Sequence, residues 1–216
     1  MKKISLYILF LVGILAVLSM QAFAAQAFEQ YYAGPENDGM ALRDWAAPPA
    51  ANWVELNGQF LDTSYDGWSR RWSKGLIHIP ISGLAGRTLD PGSATLWLYV
   101  VWSNNLTVEV LANDPGPTPQ WGEINASRTW VATINGVMND WVGIDVTDQL
   151  QSLINSNAGY IGFLLGGGEG SVCAAESGLV PHIEVPAAEQ NVVPEPSSLL
   201  ALLAGIPAVG FLRRKR

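Results

Sequence analysis

The chain has 216 residues, with 19 acidic and 12 basic side chains, a formal charge of −7, nine tryptophans and a single cysteine. Half of the basic residues sit near the two ends, so residues 25–193 carry six Lys or Arg against 18 Asp or Glu, a formal charge of −12. Such a body repels nucleic acid and anionic surfaces, which excludes both as its partners, and the lone Cys173 rules out an intramolecular disulfide.

The chain begins with Lys2-Lys3, an apolar run from Ile4 to about Leu18, and Ala22-Phe23-Ala24. A basic segment, an apolar segment and an A-x-A site together predict a secretory signal peptide over residues 1–24, cut after Ala24. Ala25-Gln26-Ala27 offers a second site, and an uncleaved anchor helix is the competing reading. Cys173 lies far from this end, so a lipoprotein is excluded.

Residues 25–187 read as one all-β domain, an antiparallel β-sandwich of jelly-roll-like type. Apolar residues alternate with polar or outward-facing ones at about 75–81, 94–102, 106–112, 141–146 and 160–165, which is the period of a strand with one buried face. Clusters rich in Gly, Pro, Asn and Asp separate them. One short helix is predicted over 148–155, where Val146, Leu150, Leu153 and Ile154 share a face and Thr147 or Asp148 can serve as N-cap.

Within this body Glu36, Asp38 and Asp44, and further on Asp62 and Asp66, are oxygen donors that could brace a loop with calcium; solvated surface charge is the plainer reading. No ligand spacing for a transition metal is present, and no cofactor is expected. Catalysis has no motif to rest on: the two histidines, His78 and His182, fall on separate strands, and Gly166 to Ser171 is a Gly-rich loop without the Lys of a phosphate loop. The chain is therefore read as a non-enzyme, with a glycosidase or lyase carboxylate pair as a lesser alternative.

Tryptophan is the better clue to function. In the segment 94–102, Trp97 and Tyr99 lie opposite the aliphatic Leu96, Leu98 and Val100, and flat aromatic faces stack on the apolar faces of sugar rings. Trp68 and Trp121, in Gly- and Pro-containing surroundings, are placed on exposed loops as further glycan contacts. The alternative for each ring is packing against the body.

After a linker at 188–193, the chain ends in Pro194-Glu195-Pro196, an apolar segment at about 197–212, and Arg213-Arg214-Lys215-Arg216. The basic cluster resists translocation, so the C-terminus stays cytoplasmic and the body outside. An apolar stretch of 16 residues makes about 24 Å of helix against roughly 30 Å of hydrocarbon, and Pro207 interrupts it, which suits a transient span more than a plain single-pass anchor.

The order "VPEPSSLLALLAGIPAVGFLRRKR" resembles the PEP-CTERM sorting signal of Gram-negative bacteria that make exopolysaccharide. This resemblance implies that an exosortase recognises Pro194, Glu195 and Pro196 in the inner membrane and processes the tail; signal peptidase is the partner expected at the other end. The body, from "SKGLIHIPISGL" through "DWVGIDVTDQLQSLIN" to "PHIEV", is similar to the DNRLRE-type extracellular β-sandwich, allied to carbohydrate-binding modules. It departs from that pattern at Ala175-Glu176-Ser177, where the family carries an arginine.

Three functions follow as expectations. The first is a non-catalytic cell-surface or extracellular-matrix protein, held transiently by its membrane helix and associated with exopolysaccharide. The second is a carbohydrate-binding module with a defined sugar site. The third is a secreted polysaccharide-active enzyme.

Overall fold

The computed structural model describes residues 27–44, 51–56, 58–66 and 71–188. The chain divides into two units, Met1–Pro186 and Ala187–Arg216, and the second is described only at Ala187 and Ala188. The signal peptide with Ala22 and Ala24, the motif Pro194 to Pro196, the apolar segment and the basic end all lie outside the described residues, as does Trp68.

The body is antiparallel β. Its strands are β1 (Phe28–Tyr32), β2 (Asp38–Asp44), β3 (Ala51–Leu56), β4 (Phe60–Asp66), β5 (Arg71–Pro80), β6 (Thr95–Asn104), β7 (Leu106–Leu111), β8 (Arg128–Ile134), β9 (Met138–Asp145), β10 (Tyr160–Gly166), β11 (Glu169–Cys173) and β12 (His182–Pro186). The strands form one curled sheet in the order β1-β12-β6-β11-β4-β5-β10-β7-β8, with β9 beside β6 and β2 beside β5 and β3. Strand β4 belongs to both halves: its first residues pair with β11, and Ser64 to Asp66 pair with β5. The sheet is thereby continuous around its core.

Alternation explains the burial. In β6, Leu96, Leu98 and Val100 are fully buried and meet Ile77, Ile79, Phe163, Ile161, Val108 and Ile183 from the other strands in one core. A fully buried side chain of this size contributes about 1.5–3 kcal/mol, so the closing of the sheet over these residues is the main stabilising term.

Helix α1 (Thr147–Asn155) follows β9 and lays Leu150, Leu153 and Ile154 on the same core. Its N-cap is Val146, and neither Thr147 nor Asp148 serves. Asp145 does the capping work from one residue earlier, its Oδ1 accepting the Thr147 backbone N–H at 2.9 Å and hydroxyl at 2.7 Å. The Thr147 hydroxyl oxygen in turn accepts the Ala94 N–H at 2.9 Å, tying the helix start to the entry of β6. These two bonds hold the Asp145 carboxyl below its ordinary pKa, the Thr147 hydroxyl first and the backbone N–H second.

Two further differences from the sequence reading are physical. The Gly-rich stretch 166–171 is a tight two-residue corner, with Glu169, Gly170 and Ser171 already in β11. Gly167 has φ of 73°, and a Cβ on Gly168 would sit 2.2 Å from the Asn105 carbonyl oxygen, so only glycine fits there. Trp121 is not a free loop residue. It opens the 3-10 turn Trp121–Asn125 and packs on Trp72 with ring centroids 5.4 Å apart, over a small second core of Ala41, Leu76, Ile124 and Leu164.

Candidate functional site

Strands β1, β12, β6 and β9 lie side by side, and their registers bring outward-facing residues into rows. One row runs Tyr32, His182, Trp97, Gly143; the next runs Gln30, Glu184, Thr95, Asp145. Tyr99 faces Trp141 one step further along β6. Leu96, Leu98, Ile144, Ile183 and Val185 point the other way into the core, which fixes this as the outer face.

The rings form a connected patch. Tyr32 stacks at a tilt on His182 with centroids 5.1 Å apart; Trp141 meets His182 edge-on at 5.5 Å, and Tyr99 meets Trp141 edge-on at 5.5 Å. Both edge contacts have the geometry that the aromatic quadrupole favours, positive edge to negative face. Trp141 of β9 thus reaches across β6 to β12. Trp97 lies toward β9 over Gly143, where an added Cβ would come within 3.1 Å of the indole carbons Cη2 and Cζ3.

Polar groups fix the orientation of the patch. The Trp97 Nε1–H donates to Glu184 Oε2 at 3.0 Å, and Tyr32 donates its hydroxyl to Gln30 Oε1. His182 Nδ1 lies 3.0 Å from the Val180 carbonyl oxygen and therefore carries the proton, which leaves Nε2 as an acceptor in the neutral ring. Strand β1 is pinned from its other side, where Arg87 pairs with Glu29 at 2.7 Å and donates to the Pro186 carbonyl. Trp97, Tyr99, Trp141, His182 and Glu184 are all half-buried, and Tyr32 is 47% exposed. A face of this kind offers stacking surface edged by a carboxylate, an amide and an imidazole acceptor, the combination that a pyranose needs for its C–H faces and its hydroxyl rim.

Of the residues singled out in sequence, Trp97 and Tyr99 sit together on this face and Trp121 sits elsewhere. Tyr32, Trp141, His182 and Glu184 were not foreseen as its companions. Of their strands only β9, which carries Trp141, shows a period in the sequence, and the β1-β12-β6-β9 order joins segments up to about 150 positions apart, which no local pattern reports. His78 is structural: it is fully buried, and its Nε2–H donates to Glu123 at 2.9 Å, pinning the 3-10 turn over β5.

The acidic residues proposed for calcium are dispersed. Glu36 and Asp62 are exposed, Asp38 is buried, and the side chains of Asp44 and Asp66 lie outside those described. Among the described residues no three metal-ligating side chains converge. A groove between the edge strands β8 and β9 is lined by Val131, Ile134, Val142 and Ile144, with Asp145 as the one carboxylate in its wall. That carboxylate is already engaged by Thr147. No family model matches the chain, and no curated protein does.

Proposed function

We propose that this is a non-catalytic exported protein that holds exopolysaccharide at the cell surface or in the extracellular matrix, on the outer face of β1, β12, β6 and β9. The observation that carries this reading is the aromatic patch itself: five rings from four strands, cross-braced by ring contacts and by the Trp97–Glu184 bond, on a surface with no other assigned task. Preorganised rings lose little side-chain entropy on binding, which favours a defined glycan site over a passive matrix component. The curled sheet is read as a jelly-roll-like sandwich of the kind allied to carbohydrate-binding modules. Export, transient inner-membrane anchoring and processing by signal peptidase and exosortase rest on the two terminal signals.

Affinity electrophoresis tests the reading. Migration of the purified protein through native gels should be retarded by the producing cell's exopolysaccharide and not by an unrelated polymer of equal viscosity. Trp141→Ala, which removes the ring joining Tyr99 to His182, should lose most of the retardation while keeping its circular dichroism spectrum. Equal migration of wild type with and without polysaccharide would refute it.

A further inference from the structure

Among the described residues three buried carboxylate oxygens have no hydrogen-bond partner. Asp38 opens β2 and is fully buried; its Oδ2 accepts the Ala175 N–H at 2.7 Å, while its Oδ1 is buried with nothing to bond. That hydrogen bond aims the carboxyl at the turn after β11, where the next residue is Glu176. Both oxygens of Glu176 are likewise buried and unbonded. The neighbouring Asn37 is held from two sides, its Oδ1 accepting the Gly34 N–H at 3.0 Å and its Nδ2 donating to the Pro117 carbonyl at 2.6 Å, so Asp38 is presented from a fixed backbone.

Among the described residues no basic side chain pairs with either carboxylate: Arg87 and Arg128 pair with Glu29 and Glu109, and His78, whose backbone N–H donates to the neighbouring Asn37 carbonyl at 2.6 Å, turns its Nε2 to Glu123. The influences on the Asp38 carboxyl are burial, the Ala175 N–H and Glu176. Burial, assisted by the Glu176 charge and opposed by the Ala175 N–H, pushes the Asp38 pKa up to about 7. Burying an uncompensated carboxylate is costly, and two that repel each other are costlier, unless a cation or a shared proton neutralises them.

We propose that Asp38 Oδ1 and the two Glu176 oxygens bind a divalent metal ion of the calcium class, which clamps β2 to the turn following β11. The donors are all hard oxygens with no nitrogen or sulfur among them, which selects calcium or magnesium over zinc or copper. Three carboxylate oxygens, two of them on one carboxylate that can bind through both, suit the irregular, high coordination of calcium better than the strict octahedron of magnesium. Backbone carbonyls and water complete such a shell. The site is separate from the aromatic face and does not depend on what that face binds.

The test uses full-length protein stripped with EDTA and titrated with calcium chloride alone, by calorimetry and by thermal melting. Wild type should bind one ion, and its melting temperature should rise with the logarithm of calcium concentration above the dissociation constant. Glu176→Gln should weaken binding at least tenfold while still folding, and exposed Glu36→Gln should behave as wild type. Asp38→Asn, which keeps an acceptor for Ala175, should also lose the ion. No heat and no melting shift with either calcium or magnesium would overturn the proposal. So would wild-type affinity in Glu176→Gln, or a gain in stability at acid pH that calcium does not replace at neutral pH, which would assign a shared proton to the pair.

Discussion

Truncating Trp97 to alanine separates a surface platform from a core residue. The indole is half-buried on the outer face, packed on Gly143 and bonded to Glu184. An aromatic side chain buries about 150–250 Å² when fully enclosed, so half of that at ~25 cal/mol per Å² is roughly 2–3 kcal/mol as an upper bound. The lost hydrogen bond adds about 0.5–1 kcal/mol, but no cavity forms at a solvent-facing site, and the upper-bound area term shrinks against a compact unfolded chain. A net loss of about 2 kcal/mol is expected. Phe163, fully buried in β10, supplies the ruler, since its truncation opens a cavity and should cost about 3–5 kcal/mol. Urea unfolding followed by far-UV circular dichroism reads both, with the midpoint falling and the slope unchanged for Trp97→Ala. If Trp97→Ala cost as much as Phe163→Ala, the indole would be core and the reasoning about the face would fail.

Three other outcomes are expected. Gly168→Ala should destabilise by about 3 kcal/mol, because the new Cβ would meet the carbonyl oxygens of Asn105 and Asn104 at 2.2 and 2.4 Å, and these are backbone atoms that cannot turn aside; an unshifted melting temperature would contradict this. Asp145 has a depressed pKa in the folded state, so the stability it adds is present above the ordinary Asp value and is lost as pH falls through its folded pKa. Asp145→Asn should remove that acid-side loss together with about 0.5–1 kcal/mol of stability near neutral pH, measured as melting temperature against pH. Replacing Pro194, Glu195 and Pro196 with alanine should leave a full-length species in the inner-membrane fraction on immunoblots, and unchanged release of that variant would argue against exosortase sorting.

The strands legible in sequence are those that carry runs of aliphatic residues into the core. In β6 and β7 the alternation of aliphatic residues is the direct image of burial, β5 and β10 are aliphatic runs buried on both faces because a second small core covers Leu76 and Leu164, and the helix after β9 shows its stripe at Leu150, Leu153 and Ile154. The strands not legible in sequence lack an aliphatic period, whether at an edge or, like β4 with its sequence FLDTSYD, inside the sheet. Phe28–Tyr32 reads FEQYY, with large residues on its outer side, and Arg128–Ile134 is an edge whose residues are mostly exposed, so neither displays a hydrophobic period. Trp121 misled because Gly and Pro around it signal a loop, and the loop folds back over Trp72. Trp97 and Tyr99 were assignable to a face from β6 alone. What else lies on that face depends on pairings between the first and last strands, and no local propensity encodes those.

The pairing of Phe28–Tyr32 with His182–Pro186 has a temporal consequence. The first strand of the body has the last as its neighbour, and β12 also closes against β6, so the sheet cannot be completed until the chain has been delivered almost to its end. A polypeptide crossing the membrane N-terminus first would keep β1 waiting through some 150 residues. Tyr32 and His182 would come together only when β12 emerged. On the proposed reading, the part of the face built by Tyr32 and His182 would be missing from any chain that ends before β12, so a complete glycan platform would mark a chain delivered to its last strand.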